Sequence, residues 1–176
     1  MTTCARATFA IATFTSLTTL WLGLAASSAG AQTPIPNSIA APNETQIAKF
    51  HAEGAQVYEC KAHSSGNLAW AFREPIATLM ADGKTVGRHY AGPSWEYSDG
   101  SAVVGKVAGS APGTTAKDIP WLKLDATAHR GNGILGGATT VQRINTVGGV
   151  LTGQCSTVGA FQSEPYSADY VFLRKD

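Results

Sequence analysis

The chain has 176 residues, with 13 Lys and Arg against 12 Asp and Glu and a formal net charge of +1. This balance lacks the cationic excess by which nucleic acid and anionic membranes are bound, so both are excluded as principal partners. The length is that of one domain, and 19 glycines suit a turn-rich β chain better than a helical one.

Residues 1–31 read as a cleavable signal segment. Arg6 gives a weakly positive start, no acidic residue precedes Glu44, and an apolar stretch runs from Ala7 to Ala26. It ends in Ser27-Ser28-Ala29-Gly30-Ala31, an Ala-x-Ala exit that places cleavage before Gln32. The competing reading is an uncleaved anchor, since about 20 apolar residues span a bilayer; the Thr and Ser content and the small-residue exit argue against it. No twin Arg is present and no Cys follows the apolar run, which disfavours a lipid anchor. Cleavage leaves residues 32–176 as a single β-rich domain, periplasmic or extracellular, with 12 cationic residues against 12 acidic ones because only Arg6 is lost. No second apolar run approaches spanning length. Cys4 departs as well, and Cys60 and Cys155 most simply form one disulfide in an oxidising compartment. Closing a loop of about 95 residues, it contributes roughly 4–5 kcal/mol in the chain-entropy description. The chain has no CxxC pair to suggest redox catalysis.

In chain order, Gln32 to Pro42 is an extended lead-in rich in Pro, Ala and Ser. Asn43 with Gln46 three residues on fits a capping box, Ile47 and Phe50 recur at i, i+3, and Gly54 follows, so a short helix is expected over Asn43–Glu53. The period then changes to two. Gln56 to Lys61 alternates with Tyr58 and Cys60 on one face, and Leu68 to Arg73 alternates with Leu68, Trp70 and Phe72 toward a core, which makes a hairpin. Asp82-Gly83 and Ser98-Asp99-Gly100-Ser101 are turn signals. Gly109 to Asp118 reads as a loop. Trp121 to Ala126 places Leu122 and Leu124 inward and Trp121 outward. Gly131-Asn132-Gly133 leads into a strand around Ala138–Asn145, and Gly148-Gly149 turns again. Tyr166, Tyr170 and Phe172 share one face of the last strand. Together these predict an all-β antiparallel sandwich or barrel with one short N-terminal helix and one disulfide.

Chemistry concentrates in His89-Tyr90-Ala91-Gly92-Pro93-Ser94-Trp95-Glu96. A Gly-Pro bend can bring His89 and Glu96 to a common cleft, and a carboxylate beside an imidazole is the minimum for general acid–base work. Asp169 is the candidate third member. The alternative is a structural corner with Trp95 in the core, His89 on a loop carbonyl and Glu96 solvated. His51, His63, His89 and His129 lack HxH or HExxH spacing, so no metal is implied; His89, His129 and Asp169 could meet only through the fold. The chain has no G-x-S-x-G elbow, and Glu59, Glu96, Asp99, Asp125 and Asp169 give no defined carboxylate pair. The Gly-rich stretches lack the Lys and helix of a phosphate cradle, so no cofactor is implied. For binding, Trp95 and Trp121 with Gln142, Arg143 and Asn145 form the set suited to a small molecule or glycan. Trp70, in a clean alternating run, reads as core.

Several fragments form a recognisable series. They are Val57-Tyr58-Glu59-Cys60, the run from Val86 to Glu96, Ile119-Pro120-Trp121-Leu122, Val141 to Thr146, and Pro165 to Tyr170. In that order they resemble the secreted bacterial and fungal family catalogued as domain of unknown function three-four-five-five, from about Ile35 to Arg174. The resemblance implies no activity, cofactor or catalytic residue. Dehydrogenase-like names carried by some fungal members find no Gly-rich strand–turn–helix here. The leading expectation is a non-catalytic exported β-domain that binds a small molecule, a glycan or an envelope component. A small hydrolase or metal-assisted enzyme centred on His89, Glu96 and Asp169 is the alternative, and an envelope structural protein a third. Protein purified from its exported fraction is expected to show an intact mass starting at Gln32 and two hydrogens below the reduced value. Retention of residues 1–31 would contradict cleavage, and the reduced mass would contradict the bond.

Overall fold

Inward and outward residues alternate along β1 (Glu44–Ala62): Ala48, Phe50, Ala52, Gln56, Tyr58 and Cys60 are buried, while Lys49, His51, Glu53 and Lys61 are exposed. The computed structural model describes residues 1–3, 34–63 and 66–176; the expected signal segment lies almost wholly outside them. The segment expected to be helical, Asn43–Glu53, is therefore strand. Asn43 adopts φ 64° and turns the chain instead of capping a helix. The pairing with β8 slips between Gln46 and Ala48, so the spacing from Ile47 to Phe50 reflects a bulge and not a helical turn. Ala48 and Ala52 carry the alternation on either side of Phe50, and alanine, a strong helix former that is weakly apolar, hides it. The helical content among the described residues is one 3-10 turn, Asn37–Ile39.

Seven further strands follow: β2 (Leu68–Ala81), β3 (Lys84–Tyr90), β4 (Ser94–Tyr97), β5 (Ala102–Ala111), β6 (Trp121–Arg130), β7 (Thr140–Gly148) and β8 (Phe161–Lys175). Each pairs antiparallel with the next, and β8 returns to β1 from Glu44↔Lys175 to Glu59↔Phe161, so the sheet closes into a barrel. The expected turns fall where the sequence puts them. Asp82 (φ 50°) and Gly83 (φ 71°) make the two-residue β2–β3 turn, and Gly100 (φ 84°) sits in the β4–β5 turn. The expected disulfide joins Cys60 to Cys155 with a Cα separation of 5.8 Å.

Inside, Phe50 stacks on Tyr97 at 5.2 Å and meets Phe172 at 5.6 Å, with Leu79, Val103, Leu124 and Val141 around them. Burying each of these large side chains is worth roughly 2–3 kcal/mol. A second cluster lies on the outer surface, where Ile39 of the lead-in covers Ala111, Trp121, Ile144, Val171 and Leu173. Trp121 thus points outward, as its phase requires, yet is only 4% exposed because the lead-in folds over it. Phe72 is corrected in the opposite direction. It pairs with Tyr58 on the inner side but stands at the barrel rim, 54% exposed. Trp70 is half-buried, and the inward residues of β2 that pack most fully are Pro75, Ala77 and Leu79.

Gly54, expected to end a helix, lies mid-strand opposite Ala77, where β1 and β2 approach so closely that a Cβ would collide with the Ile76 carbonyl and with Ala77. Gly54→Ala is expected to destabilise by roughly 1–3 kcal/mol, the usual cost of forcing a methyl into filled space. An unchanged urea midpoint would contradict the close approach.

Candidate functional site

The two ends of the barrel are built differently. At the end that holds the β2–β3 and β4–β5 turns, the β6–β7 connection folds over the core and inserts the fully buried Leu135. The Asp99 carboxylate fastens it, accepting from the Ser101 amide at 2.8 Å, the Ser101 hydroxyl at 2.6 Å and the Ile134 amide at 2.8 Å. These bonds, led by the Ser101 hydroxyl, hold the Asp99 pKa below its ordinary value. That end is shut.

The other end holds a cavity of about 460 Å³. Tyr58, Phe72, Pro93, Ile119, Leu122 and Leu124 supply its apolar wall. Among its polar residues, Gln56 and Tyr170 come from β1 and β8, His89 and Trp95 from the β3–β4 hairpin, and Arg143 from β7. The hairpin bends at a cis Gly92–Pro93 peptide, with Gly92 at φ 140° and no room for a Cβ beside the Ser94 hydroxyl.

His89 is 2% exposed and bonded through Nδ1 to the Ser94 carbonyl at 2.8 Å. Its ring stacks on Trp95 at 4.6 Å, and Tyr170 lies 4.8 Å away. Burial lowers its pKa to about 3; the Ser94 bond raises it and Arg143 lowers it further. The imidazole is therefore neutral. Because Nδ1 must carry the proton given to Ser94, Nε2 is left as an acceptor. Tyr166 and Tyr170 stand with hydroxyls 3.2 Å apart, and burial raises the pKa of both. The Gln56 side chain lies near the Tyr166 hydroxyl, but its buried Nε2, like the buried Trp95 indole N–H, donates to no acceptor among the described residues.

Glu96 is not in the cavity. In the hairpin His89 faces Trp95 while Arg88 faces Glu96, so the pleat sends His89 and Glu96 to opposite sides of the sheet. Outside, Glu96 accepts from Arg88 and Arg130, both at 2.9 Å, and the Arg88 bond is the main reason its pKa is lowered. Asp169 is also on the outer face, bound by Lys49 and His51 at 3.0 Å and by Asn145 at 2.9 Å. Partial burial raises its pKa, but these three partners outweigh that and leave it lowered. Within the expected catalytic set, then, only His89 lines the cavity. His129 bonds the Ala138 carbonyl at 2.6 Å and meets neither His89 nor Asp169. No group of three or more His, Cys, Asp or Glu capable of holding a metal occurs among the described residues.

The expected binding set divides similarly. Trp95 and Arg143 line the cavity. Gln142 faces outward and donates to the Ile39 carbonyl at 2.7 Å, Asn145 holds Asp169, and Trp121 belongs to the outer cluster. Gln56 and Tyr170 line the cavity without belonging to the expected binding set. The signal for Gln56 was available, since it shares the inward phase of Tyr58 and Cys60 without their apolar character.

The fold and site together define a small antiparallel barrel, packed solid at one end and hollow at the other. The chain belongs to the family described as "Protein of unknown function (DUF3455)", which it matches over residues 40–174. No curated protein and no solved structure matches it.

The buried His89 makes a pH prediction. Between its folded pKa near 3 and its ordinary value of 6.5 the unfolded chain binds a proton that the folded chain refuses, so stability is full above 6.5 and falls as pH drops toward 3. From pH 7 to pH 5 the wild type is expected to lose roughly 2 kcal/mol more than His89→Gln. Equal losses in urea titrations would contradict a buried neutral imidazole.

Proposed function

We propose that this protein is a non-catalytic binder of a small, largely apolar molecule held in the hollow end of the barrel. The observation that carries the reading is the cavity itself: about 460 Å³, walled by aromatic and aliphatic side chains with a few convergent polar groups. Small-molecule sites have this size and composition. The acid–base alternative is disfavoured by positive features of the geometry. His89 has too low a pKa to serve as a base near neutrality, and Glu96 and Asp169 are engaged by cations on the far side of the sheet. Trp95 faces inward and Trp121 is covered, which leaves neither as a surface platform for a glycan.

An exported location fits this role. The Cys60–Cys155 bond is characteristic of oxidising compartments, and residues 1–31 have the composition of a signal segment. No helix of the described residues is long and apolar enough to cross a membrane. The mature domain of residues 32–176 would thus meet its ligand in the periplasm or outside the cell.

The neutral fluorophore N-phenyl-1-naphthylamine tests the reading directly. Saturable binding near one molecule per chain is expected, and Leu122→Trp, which adds bulk to the cavity wall, is expected to abolish it with the circular dichroism spectrum unchanged. Failure to saturate, or full binding by folded Leu122→Trp, would overturn the assignment.

A further inference from the structure

We infer that the cavity selects a small apolar carboxylate, with its charged end on Arg143 and its hydrocarbon or aromatic body against Leu122, Leu124 and Trp95. The inference rests on the binding role proposed above and names the ligand class.

The cavity wall contains two cationic side chains, Arg73 and Arg143, and no carboxylate. Arg73 is already engaged, with Nε 3.0 Å from the Glu74 carboxylate and its guanidinium 4.8 Å from the centre of the Phe161 ring. Arg143 is different. It is half-buried, and no carboxylate among the described residues pairs with it. Its charge reaches into the interior, where it adds to the lowering that burial gives the His89 pKa and offsets part of the rise that burial gives Tyr166 and Tyr170. Its bonds to Pro120 are exposed, so the cation carries little burial cost of its own; an anionic ligand gains a charge-assisted pair with it for which no carboxylate of the described residues competes.

Arg143 donates from both Nε and Nη2 to the Pro120 carbonyl, at 3.0 and 2.8 Å. These bonds fix the plane of the guanidinium and occupy one edge. Arg143 also lies within reach of the Tyr170 hydroxyl, and its second edge, Nη1 with the other Nη2 proton, has the parallel geometry that matches a carboxylate better than a lone hydroxyl. The acceptor is itself well anchored: the Ile119 amide donates to the Gly148 carbonyl at 2.9 Å and the Ile119 carbonyl accepts from Thr146 at 2.6 Å. The fork is held ready before a ligand arrives.

Gln56 and Trp95, 2% and 1% exposed, each line the cavity and each keep a buried N–H without a partner. Buried donors are normally satisfied; a third unpartnered one, the Trp121 indole N–H, lies in the outer cluster, while the two in the wall of one cavity are placed to meet an acceptor brought in from outside. Neutral His89 leaves the cation uncompensated, since it contributes no charge of its own. Hydrophobic walls on the remaining sides restrict the rest of the ligand to apolar matter.

The test is a matched series measured by calorimetry at pH 7.5: naphthalene-2-carboxylate, 2-naphthalenemethanol and 2-naphthylmethylammonium. The carboxylate is expected to bind on the order of tenfold tighter than the alcohol, and the ammonium more weakly than either. In Arg143→Gln the preference for the carboxylate over the alcohol should disappear. If the alcohol binds and the carboxylate is no better in the wild type, charge selection is wrong and the cavity assignment stands. If neither these compounds nor N-phenyl-1-naphthylamine binds, both fail. The wild-type comparison decides the matter even if Arg143→Gln does not fold.

Discussion

The long pairing of β8 with β1, from Glu44↔Lys175 to Glu59↔Phe161, is the constraint on which the rest of the structure depends. It joins the two ends of an antiparallel meander and removes both sheet edges, leaving an enclosed interior. β1 has 19 residues and pairs with β2 and β8 at once, so it serves as the spine of the barrel. The disulfide at Cys60 ties the far end of that spine to the connection before β8, where the Cys155 amide also donates to the Leu68 carbonyl. A cross-link between segments so distant in sequence restricts the unfolded chain, and here it does so beside the hollow end.

Closure creates an interior, and side-chain volume decides how it is filled. Toward one end Phe50, Tyr97 and Phe172 meet face and edge, and Leu135 completes the packing. Toward the other the inward residues are Gln56, Tyr58, His89 and Arg143, whose polar groups cannot pack against one another as hydrocarbon does. The layer formed by Trp95, His89 and Tyr170 separates the two regions. Such a floor is rigid, because His89 is clamped between the Ser94 carbonyl and the indole face. His89, which looks in isolation like a catalytic histidine, is a buried, neutral part of the cavity wall.

Much of this was legible in the sequence, and the failures have physical causes. The all-β antiparallel class, the Asp82-Gly83 turn, the inward face of Tyr166, Tyr170 and Phe172, and the Cys60–Cys155 bond follow from turn chemistry, period and cysteine count. The false helix at Asn43–Glu53 arose because Ala48 and Ala52 carry little pattern signal and a bulge at Ile47 mimics helical spacing. Parity could have separated His89 from Glu96, since a tight bend after Tyr90 pairs residue 89 with 95 and residue 88 with 96. The burial of Trp121 was not readable, because it depends on the lead-in returning to cover the outer face, a contact distant in sequence. The same holds for Arg143: its residue type suggested recognition, but only the fold shows Gln142 and Asn145 turned away from it.

The most direct measurement is a nitrogen–proton correlation spectrum of the labelled protein, recorded while an apolar naphthalene ligand is added. The account predicts that the Trp95 indole and Gln56 side-chain resonances move together and saturate, while backbone signals of Leu135 at the packed end stay still. Shifts confined to outer-face residues such as Lys49, His51 and Asp169, with Trp95 and Gln56 unmoved, would contradict it.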